Sequence, residues 1–145
     1  MKKGKETVFQ IINCIIPLFI GAMIYYILSP EVIFVRHIDN IVGENLHIDI
    51  VYSDLSILRF IRNYVLDMMW AYALVFALHF FIGNRTEKLF LTVIIAVIFS
   101  ALMEILQLTS IAMGTFDVLD ILVEVLAEIA AVLFIKKFYS KEERA

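Results

Sequence analysis

Apolar residues recur along this chain in long blocks, with too few polar interruptions for the alternation of a half-buried strand. Four blocks approach the roughly 20 residues needed to cross a bilayer as a helix. They are "VFQIINCIIPLFIGAMIYYIL" (Val8 to Leu28), "YVLDMMWAYALVFALHFFI" (Tyr64 to Ile82), "LFLTVIIAVIFSALMEILQL" (Leu89 to Leu108) and "VLDILVEVLAEIAAVLFI" (Val118 to Ile135). Acids interrupt the last three, yet their length and flanks predict helices. A closed barrel would need alternating strands instead. Pro17 in the first block is tolerable as a kink. Between the first two blocks, residues 29–63 form the longest polar stretch. There "NLHIDIVY" alternates loosely like a short strand, and "SDLSILRFIRN" reads as an amphipathic turn of helix. Ser53 is its candidate N-cap, and Leu55, Leu58 and Ile61 fit an interface.

Composition supports an integral membrane protein. The 145 residues are 62% hydrophobic and 19% charged, more apolar than a soluble domain of this size can hide. A net charge of −3 leaves no basic footprint for nucleic acid. The single cysteine, Cys14, excludes an internal disulfide and reads as an inert buried thiol. "MKKGK" before the first block suits a signal peptide, but the apolar run is too long and no small-residue cleavage site follows. It reads as a retained anchor.

Basic residues give the orientation. Lys2, Lys3 and Lys5 precede the first span, and Arg85 and Lys88 separate the second and third. Lys136, Lys137, Lys141 and Arg144 follow the fourth. Four spans put all of these on one side, which the positive-inside rule makes the cytoplasm. Only Arg36, Arg59 and Arg62 fall opposite. The expectation is an all-α, multi-pass bundle of four transmembrane helices forming one domain over residues 1–145. Both termini are cytoplasmic, and the 29–63 loop is external.

On this topology the acids converge. Asp67 lies near the outer end of span two, Glu104 and Gln107 near that of span three, and Asp117 and Asp120 at the mouth of span four. At ~100° per residue, Asp117, Asp120, Glu124 and Glu128 fall within about 80° of one another. A charge at mid-bilayer costs roughly 2.5–3.5 kcal/mol even on the lenient scale, so this stripe faces the bundle or a wet cavity. So many carboxylates cannot all be ionised unaided: either some hold protons or a cation sits among them. Mg²⁺ or Ca²⁺ suits all-oxygen ligands, although no spacing here is specific for a metal. Arg59 and Arg62 can neutralise Asp67 or hold a phosphate.

Structural readings stand beside these. Asp67, Asp117 and Asp120 at helix ends can simply be solvated, and Asp117 can be an N-cap. His79 packs or caps near the inner end of span two, with proton handling the lesser role. His37 and His47 in the loop are weak metal-ligand candidates. Trp70, Tyr72 and Phe76 read as packing or interface anchors.

Three segments resemble the VanZ-like family: "RNYVLDMMWAYALVFAL", its second-span signature; "MEILQL", its Glu-x-x-Gln element; and "GTFDVLDILVEVLAEIAAVL", its Asp-led last helix. The resemblance runs from Arg62 to about Phe134. It assigns the family's polar positions to Asp67, Glu104, Gln107 and Asp120. Glu124 stands where the family commonly has Asn, and Ala127 where it has Gly. "GTFD" replaces the loop that often carries an Arg. The namesake's link to teicoplanin resistance implies an outward-facing site near a lipid-linked cell-wall precursor.

The leading expectation is therefore an envelope protein that binds or modifies a lipid or precursor headgroup. Glu104, Asp120 and Asp67 form its polar core, while Gln107, Asp117, Glu124, Arg59 and Arg62 contact the ligand. No serine, cysteine or histidine constellation suggests a covalent nucleophile, so any acid–base step falls to a carboxylate. Two other classes stay open. One is a proton- or cation-coupled transporter using Glu124 and Glu128, which with four spans implies a homodimer. The other is a non-catalytic assembly protein whose acids meet a partner's basic residues within the membrane.

Overall fold

A computed structural model of the protein describes residues 2–29, 33–43, 56–83, 85–109 and 116–143. Every regular element among these residues is helical. The strand expected over residues 45–52, together with Ser53, Leu55 and His47, lies outside the described residues.

Helix α1 (Lys2–Leu28) contains the first apolar block and starts within the polar residues ahead of it. Pro17 lies inside it and is buried. The stretch expected as loop contains a second helix, α2 (Ile33–Val42). Its sequence "IFVRHIDNIV" is amphipathic: Val35 is fully buried while Arg36, His37 and Asn40 are exposed. Tyr26 Oη ties α2 to α1 by donating to Asp39 Oδ1 at 2.6 Å.

The second apolar block begins earlier than expected. Helix α3 (Ser56–Phe60) passes through a π-helical turn (Ile61–Val65) into α4 (Leu66–Ile82). Residues Ile57–Ile82 thus form one continuous rod, so the segment expected to be a separate interfacial turn is its first part. The rod ends at Gly83, whose φ of 120° is left-handed and whose N–H donates to the His79 carbonyl. A residue without Cβ adopts this conformation without steric cost. Lys88 Nζ donates to the Ile82 carbonyl at 2.8 Å and satisfies another open helix end.

A 3₁₀ turn (Thr86–Lys88) leads into α5 (Leu89–Leu108), which has the expected bounds. Helix α6 (Val118–Glu143) starts where expected and runs two turns beyond Ile135. Asp117 is its N-cap: Oδ1 accepts the Leu119 N–H at 2.9 Å.

Three segments are long and apolar enough to cross a membrane: Gly4–Leu28, Ile57–Ile82 and Thr86–Leu108. Helix α6 is comparably long, but Asp120, Glu124 and Glu128 make it more polar. The exposed surface of the bundle carries large apolar side chains such as Ile15, Phe19, Phe81, Phe90 and Leu133. Polar side chains such as Gln10, His79, Ser100, Glu104, Glu124 and Glu128 are buried. That inversion suits hydrocarbon as the surrounding solvent.

Helix α4 is the hub. Helix α1 runs antiparallel to it: Phe9 meets Phe76 edge-on at 5.7 Å, Tyr72 Oη donates to Asn13 Oδ1 at 3.2 Å, and Gly21 lies against Leu66 and Met69. Helix α6 lies parallel to α4, pairing Tyr64 with Asp117 at one end and His79 with Tyr139 at the other. Helix α5 returns antiparallel to both. Buried Ala71, Ala73, Ala96, Ala127 and Ala131 let the helices approach closely. The exposed Lys5, Arg85, Lys88, Lys136 and Lys137 consequently share one end of the bundle, the basic end.

A Cβ added at Gly21 would stand 3.1 Å from Leu66 Cδ1 and 3.5 Å from Met69 Cβ. Gly21→Leu is expected to wedge α1 from α4 and cost about 1–3 kcal/mol of stability in a denaturing-detergent titration. Unchanged stability would show that α1 does not pack on α4 at this point.

Candidate functional site

Opposite the basic end, three helices bring carboxylates together. Asp67 enters from the first turn of α4, directly after the π-helical turn. Such a turn inserts an extra residue into the helical repeat, and π-bulges recur at functional sites. Here it also places Tyr64, whose hydroxyl donates to Asp117 Oδ2 at 3.4 Å.

Glu104 enters from the last turns of α5 and is buried, with 4% of its surface exposed. Its two oxygens have different partners. Oε1 accepts from Gln107 Nε2 at 2.9 Å, as the i, i+3 spacing of the pair allows. Oε2 accepts a long bond, 3.5 Å, from the Asp117 backbone N–H. Asp117 thus caps α6 with its side chain and holds Glu104 with its main chain.

Helix α6 supplies the stripe. Asp120 is half-buried at the mouth, and Glu124 and Glu128 are buried below it. Asp67, Glu104, Glu128 and Asp120 all stand close enough to Glu124 to act on its charge. Asp67 is within the same reach of Asp120 and Glu104. Four expected residues, Asp67, Glu104, Asp120 and Glu124, therefore share one site, with Gln107 and Asp117 bonded into its edge.

Below them, Glu128 Oε1 accepts from Ser100 Oγ on α5 at 3.0 Å. One oxygen of Glu124 and the second oxygen of Glu128 are buried without a hydrogen-bond partner. The site therefore has unused acceptors deep in the bundle.

Arg59 is exposed on α3, and Arg62 is half-buried in the π-helical turn, with Nε donating to Asn63 Oδ1 at 3.3 Å. Both belong to the turns just before Asp67, at the rim. His37 is exposed on α2. Among the described residues no group of three or more His, Cys, Asp or Glu is arranged to hold a metal ion. Three of the acids accept hydrogen bonds: Glu104 from an amide and a main-chain N–H, Asp117 from a phenol and a main-chain N–H, and Glu128 from a hydroxyl.

Tyr64 was not among the expected site residues. It is a lone aromatic at the head of an apolar block, and nothing in its spacing links it to Asp117, 53 residues away. Gln10 and Tyr139, both buried at the basic end, were likewise not singled out. Gln10 does carry a signal, as a lone amide in an apolar run.

Compared with known proteins, the chain matches no protein-family model, no curated protein and no solved structure.

Ser100→Ala removes the one donor bonded to Glu128. It is expected to destabilise the bundle by roughly 1–3 kcal/mol, since a buried acceptor is left unpaired. A detergent-unfolding midpoint equal to that of the parent protein would count against a working Ser100–Glu128 bond.

Proposed function

We propose that this chain is a VanZ-like multi-pass protein of the bacterial cell membrane, with its acidic site facing outward. In this reading α6 is the fourth span and both termini are cytoplasmic. The site receives the headgroup of a lipid or of a lipid-linked cell-wall precursor from the outer leaflet and contributes to teicoplanin-type resistance. The observation that carries the reading is the convergence of Asp67, Glu104, Asp120 and Glu124 at the end opposite Lys5, Arg85, Lys88, Lys136 and Lys137. Basic residues mark the cytoplasmic side.

The site's chemistry narrows the ligand. Carboxylates accept hydrogen bonds and attract amines, so they suit amine or hydroxyl groups of a headgroup. A phosphate is repelled by the acids and belongs at the rim, where Arg59 and Arg62 offer planar donors. Glu104 and Asp120 form the polar core in this arrangement, and Gln107 orients Glu104. If a chemical step occurs, a carboxyl of this group is its acid or base.

Proton-coupled transport is the second reading, and one observation favours it. Glu128 lies two turns below Asp120, fully buried, with one oxygen unpartnered. A headgroup site alone has no need of it. Flux in proteoliposomes that is unaffected by Glu128→Gln would remove this reading.

Glu104→Gln and Asp120→Asn test the main proposal. Stably expressed variants are expected to lose protection against teicoplanin and to lose binding of headgroup-bearing lipid vesicles. Variants that express normally and behave as the parent in both assays would overturn the site assignment.

A further inference from the structure

Three buried polar side chains lie far from the acidic site, at the basic end. Gln10 on α1 is 1% exposed, His79 on α4 is 0% exposed and Tyr139 on α6 is 9% exposed. The His79 and Tyr139 rings meet edge to face, with centroids 6.0 Å apart. The Gln10 amide lies beside the Tyr139 hydroxyl but outside good hydrogen-bond geometry. Both amide atoms of Gln10, both ring nitrogens of His79 and the Tyr139 oxygen are buried without a hydrogen-bond partner.

Three helices thus bring buried, unpaired polar atoms to one place, with Tyr139 beside both His79 and Gln10. Such an atom is costly if it stays unpaired, and native interiors resolve such groups with neighbours or with bound water. The atoms are mixed in kind: the amide donates and accepts, a neutral imidazole offers one donor and one acceptor, and the phenol does both. A small neutral molecule that both donates and accepts would satisfy them, and water is such a molecule. A single imidazole is too few ligands for a metal.

The site is closed off from the acids. Val75 and Phe76 on α4, Ala96 on α5, and Ala131 and Ile135 on α6 are all fully buried between it and Glu128. The charged and titratable residues at this end are Lys5, Glu6 and Cys14 of α1, Arg85, Glu87 and Lys88 ahead of α5, and Lys136, Lys137 and Tyr139 of α6; of these Glu6 acts on Tyr139, and Lys88 bonds the Ile82 carbonyl. Thr92 on α5 is already committed to the Lys88 carbonyl.

We propose that Gln10, His79 and Tyr139 form a second polar site at the basic end, one that binds water and in which His79 exchanges protons with it. The free imidazole nitrogen takes a proton from a hydronium ion arriving through the bound water, leaving water and imidazolium; the reverse step releases it. This proposal does not rest on the headgroup reading.

The test uses the full chain in lipid nanodiscs with histidine ring nitrogens labelled with ¹⁵N. The His79 signal is assigned by its loss in His79→Asn. If that variant does not fold, His37→Gln with His47→Gln leaves His79 as the only remaining histidine of the three. Magnetisation is expected to pass from water to the His79 ring, and the ring nitrogens are expected to shift to imidazolium as pH is lowered. Gln10→Leu and Tyr139→Phe are expected to weaken the water transfer. Glu128→Gln is expected to leave the His79 signals unchanged, so failure of the acidic-site assignment would not affect this result. A folded protein with no water transfer would overturn the proposal, because the three side chains would then be bonded only to each other. So would a His79 ring that stays neutral down to the pH at which the bundle unfolds.

Discussion

The whole arrangement follows from carrying carboxylates on helices whose apolar runs hold no Lys or Arg. A buried carboxylate without partners is costly, and α6 turns Glu124 and Glu128 toward its neighbours, where both are buried. That placement fixes the rotation of α6. The rotation in turn brings Ser100 and Glu104 of α5 into register with it. Small residues on the same faces, Ala96, Ala127 and Ala131, let the backbones approach closely enough for these short side chains to meet.

Donors are rationed accordingly. Glu104 takes an amide from its own helix and a main-chain N–H from the start of the next. Asp117 is acceptor for a phenol and for the first turn of α6, and it donates its own N–H to Glu104. One loop-end residue thereby connects three helices. At the rim Glu104 and Asp117 are bonded, while deeper in the bundle one oxygen each of Glu124 and Glu128 is buried without a partner.

Much of this was legible in the sequence, and the exceptions have physical causes. Helix α5 has the expected bounds because its apolar run is uninterrupted and ends where polarity returns. The rod containing α4 starts before Tyr64 because backbone hydrogen bonds carry a helix through Arg59, Arg62 and Asn63, which a hydropathy pattern reads as a stop. Helix α6 outlasts its apolar run because Phe138 and Tyr139 still pack on the bundle, Phe138 against Phe9 and Tyr139 against His79. Helix α2 was missed because its apolar face is short. The acidic stripe was readable from angular spacing alone. Its partners were not, because Ser100 and Tyr64 meet their acids through the register between helices, which composition does not encode. The basic-end cluster is the extreme case: Gln10 and His79 stand out as lone polar residues in apolar runs, but only the packing of the helices brings them beside Tyr139.

The parallel pairing of α4 and α6 has a mechanical consequence. Each of these two helices carries polar groups at both ends: Asp67 and His79 on one, the acidic stripe and Tyr139 on the other. On α4 the two groups are separated by about 18 Å of helix. Two stiff rods lying side by side in the same direction cannot slip at one end only. Any axial slide or roll of α6 against α4 is transmitted as a single rigid displacement, and the layer of Val75, Phe76, Ala131 and Ile135 between them is the bearing on which it turns.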